Sequence, residues 1–343
     1  MRARTEGDIR LGLTASGLTV TNAAGDAVLD GVRFALDRGE RVGIIGESGS
    51  GKSVLLKAML GLLPPGLKVT SGTLELAGRR YSLDAGGGSA REALRGRVLG
   101  YVPQDPLSSL TPVRKIGSMA RETLRSSKAA GDTSRIAACF RAAGLPEIDD
   151  VLPKYPHQLS GGMRQRALIA MALLSDPEYL FCDEATTALD VLAQRQVVET
   201  LTEIAREAGK GVVLVSHDIA LIAEMAEKVY VLYGGQVLEC GPAESVTCRP
   251  GHPYTAALCD AIVTLGDETL PRTIPGEVPD PGRRGPGCVF APRCGHADAR
   301  CRVERPPLQG NGRHDTACWY PLNRSVGREM SFASGVDDSE VRL

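Results

Sequence analysis

Gly46-Glu-Ser-Gly-Ser-Gly-Lys-Ser53 is the stretch on which the reading of the fold turns. It fits the pattern G-x-x-x-x-G-K-[ST], and it stands where that pattern has physical meaning. Before it lies an apolar run, Arg41–Ile45 (RVGII), that reads as a buried strand; after it a helical pattern covers Lys52–Leu63, with Pro64-Pro65-Gly66 expected to end the helix. Gly46, Gly49 and Gly51 let the backbone curl so that its N–H groups point inward. The helix beginning near Gly51 adds the positive end of its dipole. Such a loop cradles phosphate, with Lys52 reaching the β- and γ-phosphates and the Ser53 hydroxyl holding Mg²⁺.

Outward from this loop, strand and helix signals alternate. Strands are expected at Val98–Val102, Tyr179–Cys182, Gly211–Ser216, Lys228–Tyr233 and Gln236–Cys240, and helices at Asp190–Ala208 and Asp218–Glu227. That alternation predicts an α/β fold with a mostly parallel sheet and helices on both faces. Two blocks break it. Residues 9–40 carry short alternating segments, Gly17-Leu-Thr-Val20 and Val28–Phe34, which read as a small antiparallel sheet. Residues 107–175 are largely helical and read as an inserted subdomain. Tyr179-Leu-Phe-Cys-Asp183-Glu184 is an apolar strand ending in two acids, at the strand end where α/β sheets bind ligands. There Asp183 would serve Mg²⁺, and Glu184 would orient or deprotonate an attacking water.

Composition narrows the function. The 343 residues carry 40 Lys and Arg against 41 Asp and Glu, a net charge of −1, and aromatic residues are 4%. Neither a basic excess nor a stacking platform for nucleic acid is present. The longest uncharged apolar stretch, Ala167–Leu174, falls far short of the roughly 18 residues of a membrane span. MRARTEGDIRLG at the N-terminus lacks the apolar core of a secretion signal. A cytoplasmic chain is expected, with any membrane role supplied through partner chains.

Leu159-Ser-Gly-Gly-Met-Arg-Gln-Arg166 makes the reading specific. Here the chain resembles the ATP-binding-cassette ATPases, whose signature is LSGGQ, with Met163 in place of Gln. Gln104 matches their Q-loop, Ala188-Leu-Asp190 the D-loop and His217 the switch histidine, over residues 9–245. The resemblance implies a P-loop NTPase (RecA-like) core with the small antiparallel and helical subdomains. It implies nucleotide contacts from Gly46, Glu47, Ser48, Gly49, Ser50, Gly51, Lys52, Ser53 and Val54. Mg²⁺ would be held by Ser53, Gln104 and Asp183, and catalysis carried by Glu184, His217, Lys52 and Gln104. Ser160, Gly161 and Gly162 would serve the site of a second cassette, closing head-to-tail over ATP, and Asp190 would join the nucleotide contacts. One departure stands out: the aromatic residue that usually stacks on adenine is missing, and Asn22 occupies its place.

Beyond the cassette, Gly251-His252-Pro253-Tyr254-Thr255 and Ile274-Pro-Gly-Glu-Val-Pro279 resemble the oligopeptide/dipeptide/nickel importer branch. That resemblance implies ATP-driven import of a peptide or related small solute from the cytoplasmic face of the membrane. The partners it implies are two permeases, a second and different cassette, and an extracytoplasmic solute-binding protein. Non-transport cassette proteins and an iron- or redox-sensing module are the competing readings. Residues 271–287, rich in Pro, Gly and Arg, read as a linker. Of nine cysteines, four follow it in a C-x₅-C-x₆-C-x₁₆-C array: Cys288, Cys294, Cys301 and Cys318. Four thiolates suit a [4Fe–4S] cluster or a structural zinc, although zinc sites usually contain a short C-x₂₋₄-C pair. The branch is similar to importers whose nucleotide-binding subunit carries an iron–sulfur cluster in this tail. His296 and His314 lie in the same segment as substitute ligands. The expected organisation is a cassette over 1–245, a Cys-rich C-terminal extension over 246–322, and a poorly ordered polar tail over 323–343.

Overall fold

The computed structural model describes residues 12–84, 92–127, 132–187, 189–261 and 274–322. Its centre is a sheet of eight strands in the order β11-β12-β10-β9-β3-β8-β7-β6. The parallel part comprises β3 (Arg41–Ile45), β6 (Leu99–Val102), β7 (Tyr179–Asp183), β8 (Gly211–Val215) and β9 (Lys228–Tyr233). Every residue of β7 and β8 is buried, as strands covered on both faces must be.

Alternation along these strands divides the interior into two cores. Val42 and Ile44, Tyr179 and Phe181, and Val213 and Val215 face one side; Ile45, Leu180 and Cys182, and Val212 and Leu214 face the other. The first side packs on α1 (Lys52–Leu60) and on a four-stranded antiparallel sheet. That sheet has the order β2-β1-β4-β5, from β1 (Leu13–Thr21), β2 (Ala27–Leu36), β4 (Lys68–Leu76) and β5 (Arg79–Ser82). The second side is covered by α6 (Gly161–Leu173), α7 (Val191–Ala208) and α8 (Ile219–Met225). Between β6 and β7 run α2 (Pro106–Ser109), α3 (Ile116–Arg125), α4 (Ser134–Ala142) and α5 (Ile148–Val151), ahead of α6.

Several boundaries differ from the sequence expectations for local reasons. Helix α1 stops at Leu60 because Gly61 takes a left-handed φ of 66°, with its N–H returned to Ala58 O at 3.2 Å. The prolines expected to end it come after this stop. Asp190 and Asp218 are N-caps outside their helices, accepting from Ala193 N at 2.9 Å and Leu221 N at 3.1 Å. Strands β4 and β5, absent from the sequence reading, complete the antiparallel sheet. Gly86-Gly87-Gly88-Ser89, a run whose composition predicts a loop tip, Ala188 of the D-loop match and residues 323–343 lie outside the described residues.

The segment read as a linker is bolted down where it is described. Arg284 donates to the carbonyls of Ala27 at 2.7 Å and Val28 at 3.3 Å on β2. Further on, β11 (Gln309–Gly310) and β12 (Asp315–Thr316) add to the main sheet through β10 (Gln236–Pro242), with Glu239 opposite Thr316. The chain's C-terminal part is thus stitched to both sheets.

Candidate functional site: the phosphate loop and its carboxylates

The loop leaves β3 through Gly46, whose φ is 150°, and a Cβ there would stand 2.1 Å from Leu232 O. It enters α1 through Gly51, φ 105°, where a Cβ would meet Leu29 Cδ2 at 2.7 Å. Both positions therefore require glycine. Lys52 Nζ folds back onto Gly46 O at 2.7 Å and Glu47 O at 3.0 Å. Burial lowers the pKa of Lys52, while Glu184, Asp183 and Glu47 oppose the shift. Ser50 Oγ is buried with no hydrogen-bond partner, an orphaned hydroxyl inside a cradle built for oxygens.

Ser53 donates its hydroxyl to Asp183 Oδ1 at 2.6 Å, joining the loop to the end of β7. Asp183 is fully buried and is held also by the Tyr101 hydroxyl at 3.0 Å and Lys57 at 3.7 Å. Glu184 follows with a left-handed φ of 48°, a strain of order 1–3 kcal/mol in a residue other than glycine. Its Oε2 accepts from Gln104 Nε2 at 2.7 Å and Thr187 Oγ1 at 3.3 Å. Loop, buried acid, partly exposed acid and amide therefore meet in one place. Tyr101, Lys57 and Thr187 joined them without a sequence signal, because only the fold shows which side chains of β6, α1 and the following turn point there.

His217 is exposed just after β8. Ser160 caps α6, accepting from Met163 N at 3.2 Å, and faces solvent. Gly162 is pressed against α7, where an added Cβ would stand 3.0 Å from Ala193 Cβ. Asn22 bridges the β1–β2 turn, donating to Asp26 Oδ2 and accepting from Asp26 N, both at 2.9 Å. The turn thus uses an Asn where adenine stacking would use an aromatic ring.

The four tail cysteines line one narrow cleft with His252, His296, Trp319 and Tyr320. None of the four is in a disulfide. Cys288 N donates to Cys301 O at 2.8 Å, tying the two ends of the cleft. Burial pushes the Cys288 thiol up to about 11 and raises Cys294 and Cys318 as well. Among the described residues no three His, Cys, Asp or Glu side chains converge as the ligands of a metal ion. His314 is committed elsewhere, 2.6 Å from the buried Glu239 carboxylate. That carboxylate also accepts from Gly251 N at 2.6 Å and His252 N at 3.0 Å. His252 Nδ1 accepts from Tyr254 N at 3.0 Å, and burial lowers its pKa to about 4, so the ring is neutral with its proton on Nε2. That Nε2–H is buried without a partner. The ring lines the thiol cleft, a link with no signal in the sequence.

A parallel sheet with a phosphate loop after β3, a buried acid and a strained glutamate after β7, and a glutamine bonded to that glutamate defines a phosphate-loop ATPase. Residues 29–187 match the ABC transporter family, and residues 238–301 match the oligopeptide/dipeptide transporter C-terminal region. The dipeptide transport ATP-binding protein DppD of Escherichia coli (strain K12) is 39% identical over 301 residues, 86% of this chain and 91% of that protein. A putative peptide import ATP-binding protein of Brucella abortus (strain 2308) is 37% identical over 316 residues, 87% and 93% of the two chains. Among solved structures, CbiO1 of Clostridium perfringens shares the fold, with a TM-score of 0.61 at 24% identity over 71% of this chain and 92% of that one. The dimeric bacterial cassette MJ0796 gives a TM-score of 0.58 at 28% identity, covering 67% of this chain and 98% of that one. The chain belongs to the ABC transporter ATPases, in the group that carries the oligopeptide/dipeptide transporter C-terminal region. It is an ATPase.

Proposed function

We propose that the chain is the ATP-hydrolysing subunit that powers import of peptides through partner membrane permeases at the cytoplasmic face of the membrane. The observation that carries this reading is one chain holding the Ser53–Asp183 and Gln104–Glu184 pairs together with the importer-type C-terminal region. The printed functions of the relatives, dipeptide transport and peptide import, support the substrate class and favour transport over the non-transport reading. No helix among the described residues is long and apolar enough to cross a membrane, so translocation falls to other chains. Two permeases, an extracytoplasmic binding protein and a second, different cassette complete the proposed assembly.

The residues divide the work as follows. The backbone of Gly46, Glu47, Ser48, Gly49, Ser50 and Gly51 and the start of α1 at Lys52, Ser53 and Val54 cradle the phosphates. Lys52 leaves its carbonyl partners for the β- and γ-phosphate oxygens. Ser53, Asp183 and Gln104 would hold Mg²⁺, which neutralises phosphate charge when bound. Glu184, already bonded to Gln104, takes the proton of the attacking water, and His217 closes on the γ-phosphate from the other side. Ser160, Gly161 and Gly162 serve the opposed cassette, and Asp190 joins the nucleotide contacts. The organisation that goes with these roles is a cassette over 1–245 with a helical subdomain at about 107–175, and an extension over 246–322.

For the tail, we propose a metal-binding role on the sequence resemblance and on four free thiols that line one cleft beside an unpartnered N–H. Cys288, Cys294, Cys301 and Cys318 would hold a [4Fe–4S] cluster, and His252 Nε2 would donate to one of its sulfurs. Bound there, the cluster would cross-link the tail and supply a one-electron centre outside the hydrolytic site.

The test is the assembled transporter, purified anaerobically. ATP turnover stimulated by peptide, together with about four irons and four sulfides per chain, is expected. Turnover indifferent to every peptide would contradict the importer reading, and a colourless, iron-free tail would contradict the cluster.

A further inference from the structure

Glu47, the second residue of the phosphate loop, is held from two sides by residues more than 200 positions away. Its carboxylate takes a two-pronged ion pair from Arg293, Nη1 to Oε2 at 2.6 Å and Nη2 to Oε1 at 3.0 Å. Its backbone N–H donates to the Tyr254 hydroxyl at 2.8 Å. Arg293 is rigid: its side chain is 5% exposed. Its remaining hydrogen bonds go to Pro275 O at 2.7 Å, Ile274 O at 3.1 Å and the Tyr233 hydroxyl at 3.2 Å. Tyr254 is fully buried in a cluster of rings, with Tyr233 at 4.6 Å and Phe290 at 5.2 Å between centroids. Glu47 also offers its carbonyl to Lys52 Nζ at 3.0 Å. A continuous chain of contacts thus runs from the tail, through Glu47, to the lysine that meets the phosphates.

We propose that Arg293 and Tyr254 are positioning residues of the ATP site: the C-terminal extension clamps the phosphate loop through Glu47 and thereby sets the affinity for ATP. Two effects act together. The guanidinium neutralises a carboxylate that would otherwise repel a bound triphosphate. The paired contacts fix the loop's curvature before the nucleotide arrives, removing an ordering cost from binding. Arg293 directly precedes Cys294, and His252, two residues before Tyr254, lines the thiol cleft. The clamp and the cleft therefore share their backbone. Coupling between two sites is reciprocal, so bound ATP stiffens the tail as the tail tightens ATP.

The inference rests on the reading of Gly46–Ser53 as the ATP loop, and the test separates the two. Equilibrium binding of a fluorescent ATP analogue is measured on the assembled transporter, with Lys52→Ala as the control that defines loss of the loop itself. Arg293→Ala is expected to weaken binding about tenfold, the scale of a charge-assisted two-pronged pair. The same change made on a Glu47→Gln background is expected to cost almost nothing, because its partner is already gone. Turnover at saturating ATP stays within about twofold, as positioning predicts. Arg293→Lys keeps the charge and loses the fork, and falls between. It also carries the test if Arg293→Ala does not assemble. Unchanged affinity in an assembled Arg293 variant, or an equal loss with and without Glu47, would overturn the clamp. A wild-type complex that binds no ATP would overturn the reading beneath it.

Discussion

The phosphate-loop region and the cysteine tail are built on opposite plans. Around Gly46–Ser53 the chemistry is local: eight consecutive residues, placed between a strand and a helix, present the cradle, the cation and the metal hydroxyl. The tail spreads its groups over Cys288–Cys318, has two-residue strands, and owes its position to contacts with Ala27, Val28, Glu47 and Glu239. A site for a tetrahedral oxyanion can be written as a short motif, because backbone N–H groups must converge within one turn. A cleft for a four-thiolate group needs only four thiols near each other in space. The two regions are nevertheless joined at Glu47. An ATP site whose motifs look self-sufficient is completed by residues of the extension.

The sharpest way to break this comparison is to disable the cassette alone. Glu184→Gln removes the proposed base but keeps the shape, and turnover is expected to fall by about 10³-fold while ATP still binds. A steady-state phosphate-release assay beside the binding titration reads both. Turnover that stays at wild-type level would move the base elsewhere.

The next effect is smaller and acts between chains. Ser160→Arg should leave this chain's own loop able to bind ATP but cut turnover of the assembled pair by roughly 10²-fold, on the proposed role of the signature helix at the opposite site. Loss of ATP binding at this chain's own loop instead would contradict an action in trans.

Disabling the tail alone should behave differently. On the proposed cluster, Cys301→Ser is expected to remove iron and sulfide together, since one thiolate of four would be lost, and to lower the melting temperature of the complex. Metal analysis and thermal unfolding measure it. Full iron content in this variant would release Cys301 from the ligand set.

The smallest effect lies at the seam. Glu239 raises the pKa of His314 above its ordinary 6.5 by accepting its hydrogen bond. The protonated pair therefore stabilises the fold fully below about pH 6.5, and the contribution fades as pH rises through the raised folded value. His314→Gln should flatten the fall in melting temperature as pH rises above about 6.5. A profile identical to wild type would leave the histidine without this role.

Most of the nucleotide site was legible in the sequence because its residues stand at fixed offsets from strand ends. Gly46, Lys52, Ser53, Asp183 and Glu184 needed no knowledge of packing. Gln104 and His217 were legible only through the resemblance, and the structure brings Gln104 to Glu184. Tyr101 and Lys57 were invisible, since their reach to Asp183 depends on how β6 and α1 lie against β7. Strands of two residues have no period to detect, so β11 and β12 could not be read. Arg293 appeared as one more arginine beside a cysteine. Its partner sits 246 residues away, and nothing in either local segment announces the pair.

The central claim is that ATP hydrolysis at this site drives peptides across a membrane. The direct measurement is uptake of a labelled dipeptide into vesicles carrying the complete transporter, with ATP supplied on the side where this chain sits. Uptake that requires ATP and vanishes with Glu184→Gln is the predicted result. Uptake that persists in that variant, or ATP turnover that never moves peptide, would contradict the account.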